Sequence, residues 1–176
     1  MDNGIVLAVC QELVKTGLAT LRFNFRGVGE SGGKYGEGLT EQEDVKAAVS
    51  LLSARAGIDA GRIGLAGYAF GGSVCAAAAL DDSRVQAVAL ISTNLTETVW
   101  KRLRAYPNPR MFIAGSDDRG ISQKMFLDQT ERMSDPVQSD VVHGADQRWW
   151  GLENDLSKRV AAFVTRYLCK APQTLP

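Results

Sequence analysis

Only three cysteines and one histidine occur in 176 residues, and neither acidic nor basic side chains are in excess. Twenty Lys and Arg balance twenty Asp and Glu, so no net field draws in nucleic acid or an anionic membrane surface. Cys10, Cys75 and Cys169 are odd in number and lack a metal-ligand spacing. That pattern argues against a disulfide framework and for reduced thiols in the cytoplasm. No stretch approaches the roughly 20 consecutive apolar residues of a membrane span. The start, "MDNGIVLAVCQELVKTG", has Asp2 where a signal peptide needs positive charge, and Gln11 and Glu12 end its apolar run. Charge blocks, low-complexity tracts, internal repeats and linkers are absent, so residues 1–176 read as one domain.

What is present is an alternation of helical periods with short apolar runs, the pattern of parallel α/β architecture. Residues 3–16 carry Ile5, Val9 and Leu13 on one stripe, and Gly17 follows as a stop. "LATLRFNF" sets Leu21, Phe23 and Phe25 against Arg22 and Asn24 and reads as the first strand. A glycine-rich stretch, "RGVGESGGKYGEG", leads to a capping box of Thr40 and Glu43 and a helix striped by Val45, Val49 and Leu52. "RIGLAG", "RVQAVALIS", "RMFIAG" and "VQSDVV" supply four more strands, with helices after each of the first three. A last helix carries Leu156, Val160, Phe163, Val164 and Leu168 on one face.

Gly27, Gly29 and Gly32 spell G-x-G-x-x-G, but the next helix begins about ten residues later. In a dinucleotide site those glycines open the helix whose N-terminus holds the pyrophosphate. A phosphate loop fails as well, because Val28 stands where its first glycine belongs. A mobile surface loop is the expectation, and no cofactor follows from it.

The run "GYAFGG", residues 67–72, lies between a strand and a helix. Gly67 and Gly71 flank the middle residue at the spacing of a nucleophile elbow, where small neighbours relieve crowding in a strained turn. "GSDD" follows the next strand but one and "HGADQRWWG" follows the last strand. An acid and a histidine loop in that order after the elbow complete the pattern.

With these motifs on the page, the chain resembles the α/β-hydrolase superfamily, in particular its small serine esterase-like and dienelactone-hydrolase-like members. Those share a "RFNFRGVGxS" strand and loop, an "RIGLAGxSxGG" elbow, a "GxxD" acid turn and a "GADHF" histidine loop. The likeness runs from about Asp2 to Leu168. It implies a three-layer sandwich with a mostly parallel sheet of about five strands, lacking the family's N-terminal strands. It also implies that Asp118 matches the acid and that Phe70 supplies one oxyanion backbone N–H. Ala69 stands at the nucleophile position and Gln147 at the histidine position. His143 is a candidate substitute base, and Tyr68 and Trp149, with Trp150 beside it, are candidate ligand-pocket residues. Ser73 and Cys75 sit within the following helix and cannot replace the nucleophile.

In a serine-hydrolase triad, losing the serine or the histidine costs on the order of a millionfold. An oxyanion donor is worth about another hundred- to thousandfold. Three readings follow. The first is a non-catalytic homologue that holds a small acyl or aromatic ligand, or a protein partner, in the old cleft. The second is an ester hydrolase in which Ala69 replaces a serine and His143 is the base. The third is a truncated subunit or scaffold. Direct pairing of "LRFNF" with "RIGLA" would leave an open sheet edge, from which a homodimer is expected.

Overall fold

The computed structural model describes residues 2–169 and begins, as the sequence dictates, with a capped helix. Asn3 accepts hydrogen bonds from the amides of Ile5 (3.0 Å) and Val6 (3.2 Å), starting α1, Gly4–Lys15. Gly17 ends it at φ +84°, a conformation that glycine reaches without a Cβ penalty. The other elements are α2 Glu41–Ser53, β1 Ile63–Tyr68, α3 Phe70–Leu80, β2 Val85–Ile91 and α4 Glu97–Arg104, followed by β3 Arg110–Gly115, α5 Gln123–Glu131, β4 Val137–Val142 and α6 Glu153–Leu168. All strand pairs are parallel, and the sheet order is β1-β2-β3-β4.

The sheet is buried on both faces, which explains the continuous apolar strands. Along β2, Val88 and Leu90 point to one side and Ala87, Ala89 and Ile91 to the other. The first side packs on Val45 and Val49 of α2, Val74 and Ala78 of α3, and Trp100 of α4. The second packs on the Ile5, Val9, Leu13 stripe of α1 and on Leu156, Val160 and Phe163 of α6. This is the expected three-layer sandwich. No helix among the described residues is long and apolar enough to cross a membrane.

The sheet has four strands, and the expected first strand is the exception. Residues 18–25 are irregular: Phe23 and Phe25 meet edge to face at 5.4 Å, but no ladder joins them to β1. The Leu18 amide returns to Leu13, the Asn24 carbonyl accepts from Ser31, and the Arg26 amide and guanidinium both donate to Asp44 of α2. An apolar cavity of about 420 Å³ lies between this segment and β1. The unpaired sheet edge next to it is therefore that of β1 and not of residues 21–25.

Two further expectations are corrected in the loop that follows. Thr40 makes no side-chain capping bond, and Glu43 pairs with Lys46 at 2.9 Å, so there is no capping box. Glu41 does the anchoring. It is fully buried and accepts from the amides of Gly36 (2.7 Å) and Gly38 (2.9 Å). Together with the Arg26–Asp44 pair at 2.7 Å, it pins both ends of a loop expected to be free.

These anchors carry a pH dependence. The Gly36 amide bond holds the Glu41 carboxyl below its ordinary range, and the Arg26 hydrogen bond does the same for Asp44. A folded pKa depressed below the unfolded one stabilises at higher pH, and that contribution is lost as pH falls through the folded value. Hydrogen exchange at Gly36 and Gly38 is therefore expected to accelerate below about pH 4 before the core amides respond. Uniform protection of loop and core down to global acid unfolding would contradict this anchoring.

Candidate functional site

The turn between β1 and α3 is strained, as is Ser92 (φ +45°) directly after β2. Ala69 sits at φ +49°, ψ −118°, where a non-glycine residue costs of order 1–3 kcal/mol. Its amide donates to the Ile91 carbonyl at 2.9 Å, and its carbonyl accepts from Gly72 at 3.0 Å. The strain is fixed by the close approach of two glycines. A Cβ on Gly67 would lie 2.5 Å from Gly72 Cα and 2.6 Å from the Gly71 carbonyl oxygen, and one on Gly72 would collide with Thr93. Gly71, by contrast, faces only the Phe25 ring at 3.8 Å. The crowding pair is thus Gly67 and Gly72, a correction to the expected Gly67 and Gly71.

The elbow points a methyl group where a nucleophile would stand. Phe70 opens α3, and among the described residues no acceptor meets its backbone N–H. Its ring packs on Phe25 (centroids 5.8 Å) and Tyr35 (5.6 Å), forming one wall of the apolar cavity. Ser73 donates to the Asn94 carbonyl, and burial pushes the Cys75 thiol up to about 12, so neither offers an activated nucleophile.

Two other loops meet the elbow from β3 and β4. Gly115 lies against Ala145, where a Cβ would come within 2.5 Å of the Ala145 carbonyl carbon. Asp117 N–H donates to the Ala145 carbonyl at 2.8 Å, and Gly144 N–H donates to Ser116 Oγ at 2.8 Å. Tyr68 closes the ring by donating its hydroxyl to the Gln147 carbonyl at 2.8 Å. Burial raises the Tyr68 pKa, and the nearby charges of Asp118 and Asp146 raise it further. The C-terminal ends of β1, β3 and β4 thus converge, as ligand sites of parallel sheets do.

Asp118 is 3% exposed. Its Oδ1 accepts from Gly120 N–H at 2.9 Å, while its Oδ2 is buried with no partner. Gln147 meets it over Gly120, where one point lies 3.2 Å from Asp118 Oδ1 and 3.6 Å from Gln147 Nε2. These residues line a polar cleft of about 690 Å³ together with Asp146, Arg119 and Arg148. The last three carried no signal in the sequence reading. Their positions depend on how two loops pack, not on local pattern.

The remaining candidates fall outside. His143 is exposed at the end of β4, bonds to no described residue and does not line the cleft. Trp149 is a correction: its ring is fully buried among Ile113, Leu156 and Val160, and its Nε1–H donates to Ser92 Oγ at 2.9 Å. A ring so enclosed cannot line a ligand pocket. Trp150 is 75% exposed and lines neither cavity. Tyr68 does line the apolar cavity.

A family model described as X-Pro dipeptidyl-peptidase (S15 family) matches residues 6–162. An uncharacterized protein of Rickettsia prowazekii (strain Madrid E) is 26% identical over 173 residues, covering 93% of this chain and 72% of its own. An alpha-beta serine hydrolase homologue from Coxiella burnetii superposes with a TM-score of 0.82 at 29% identity, over 92% of this chain and 76% of that one. A serine hydrolase without lid from Xanthomonas campestris superposes with a TM-score of 0.82 at 24% identity, over 98% and 77% of the two chains. The fold is that of the α/β hydrolases.

Proposed function

The chain belongs to the X-Pro dipeptidyl-peptidase (S15) family, and from that premise we propose that it is a non-catalytic member which holds a small acyl or aromatic ligand beside its elbow. One observation carries the proposal. The strained elbow and the buried acid are kept, while the side chains that meet there are a methyl and an amide. An alanine has no lone pair to attack a carbonyl, and a glutamine amide cannot take a proton near neutral pH. His143, exposed and outside the cleft, does not take over.

The ligand class is supported by the cavity next to the turn. Phe23, Phe25, Leu65, Tyr68 and Phe70 line its apolar volume of about 420 Å³, within the range of small-molecule sites. The test uses an ester as a ligand and a fluorophosphonate as a probe. Short p-nitrophenyl esters are expected to shift the NMR signals of Phe23, Phe25 and Phe70 without being cleaved, and the probe is expected to label nothing. Turnover or labelling above a heat-killed control, repeated in independent preparations, would overturn the non-catalytic reading. Absence of any shift would overturn ligand binding.

A further inference from the structure

We propose that the polar cleft receives a ligand bearing a nitrogen base, an azole, amidine or amine, whose N–H donates to Oδ2 of Asp118. The inference rests on the ligand-holding reading above and names the polar chemistry of that ligand.

The cleft is lined by three carboxylates, and two of them are engaged within their own loops. Asp117 Oδ1 accepts from Ser116 Oγ at 2.8 Å, and Asp146 Oδ1 accepts from the amides of Arg148 (2.8 Å) and Trp149 (2.9 Å). Asp118 is different. Gly120 satisfies only one of its oxygens, and the other is buried without a donor. A buried acceptor left unmade costs the full desolvation of that group, more so when it is charged. The Tyr68 and Ser116 hydroxyls are already committed, to the Gln147 carbonyl and to Asp117 Oδ1.

The missing partner is thus a donor. An ester, carboxylate or phosphate brings only acceptors, which Arg119 and Arg148 of the cleft can meet but which leave Asp118 Oδ2 without a donor. A nitrogen base brings an N–H, and when protonated it forms a charge-assisted bond to the carboxylate. Asp118 lines this cleft, and Gln147, exposed and lying over Gly120, has to swing aside to admit such a ligand. Tyr68 stands between this cleft and the apolar cavity, lining one and bonding a residue of the other. One ligand with an apolar body and a nitrogen head can occupy both.

Imidazole and N-methylimidazole form the test pair, used at a pH where both are neutral and only imidazole carries an N–H. Imidazole is expected to shift the Gly120 and Gln147 amide signals saturably, and N-methylimidazole is not. Asp118→Asn is expected to weaken imidazole about tenfold or more. Equal responses to the two azoles, or unchanged affinity in a folded Asp118→Asn, would refute the proposal. The azole pair reads the bond in the unaltered protein, so the result does not depend on that variant folding. If p-nitrophenyl acetate shifts the cavity signals while imidazole shifts nothing, this inference fails and the ligand-holding reading stands. If neither does, both fail.

Discussion

Replacing Ala69 with serine and Gln147 with histidine together is expected to yield a protein labelled by a fluorophosphonate, while either replacement alone stays unlabelled. The geometry for the pair is in place. The elbow holds residue 69 at φ +49°, and among the described residues the Phe70 N–H and one oxygen of Asp118, which lines the same cleft as Gln147, have no partner. A histidine at 147 gives that oxygen an N–H donor, which orients the ring so that its other nitrogen can take the serine proton. Triad members act as a unit, so restoring one of two missing groups recovers almost nothing. The full pair is worth on the order of a millionfold. The double variant should therefore exceed either single by up to about a millionfold in probe labelling rate. A further Asp118→Asn should abolish most of the gain, and His143→Ala should leave it unchanged. Activity in Ala69→Ser alone, lost again on adding His143→Ala, would instead identify an ester hydrolase whose alanine stands in for its serine.

How far the sequence revealed this site depends on the range of the forces involved. The elbow was legible because a strand, a glycine pair and a small-residue helix lie within twenty residues and constrain one another locally. Gln147 and Asp118 were legible only through the order of motifs after it, and the structure brings them together over Gly120. Residues 18–25 were misread for a physical reason. Alternation of Leu21, Phe23 and Phe25 specifies an extended chain with one apolar face, but a strand also needs a neighbour at hydrogen-bonding distance. The apolar cavity occupies that place, while the Asn24 carbonyl accepts from Ser31 and Arg26, just past the segment, is tied to Asp44. Trp149 read in sequence both as a pocket residue and as packing against the last helix, and the structure gives the packing. Its indole N–H finds Ser92, at the end of β2 and 57 residues away in sequence, and the ring is sealed in the core. Glu41 was missed altogether. Beside a plausible Thr40–Glu43 capping box, nothing local marks it as the residue that binds two loop amides.

Gly67→Ala is expected to lose about 3 kcal/mol of stability or more, whereas Gly71→Ala is expected to be neutral or slightly stabilising. The two glycines flank Ala69 almost symmetrically in sequence, so pattern alone treats them alike. Their surroundings differ. A methyl on Gly67 meets backbone, Gly72 Cα at 2.5 Å and the Gly71 carbonyl carbon at 2.8 Å, and backbone cannot rotate aside as a side chain can. Relief would require α3 to move away from β1, breaking the Ala69 amide bond to Ile91 and exposing Val74 and Ala78. A methyl on Gly71 meets the Phe25 ring at 3.8 Å, an ordinary contact, and alanine favours the helix by about 1 kcal/mol over glycine. Gly72→Ala should resemble Gly67→Ala, because its methyl would strike Thr93 and lie 3.0 Å from the Gly67 carbonyl oxygen. Urea unfolding of the three variants gives the ordering directly. If Gly71→Ala were the most damaging, the crowding would lie at Gly67 and Gly71 as the bare spacing suggests, and the position of α3 on β1 would be wrong.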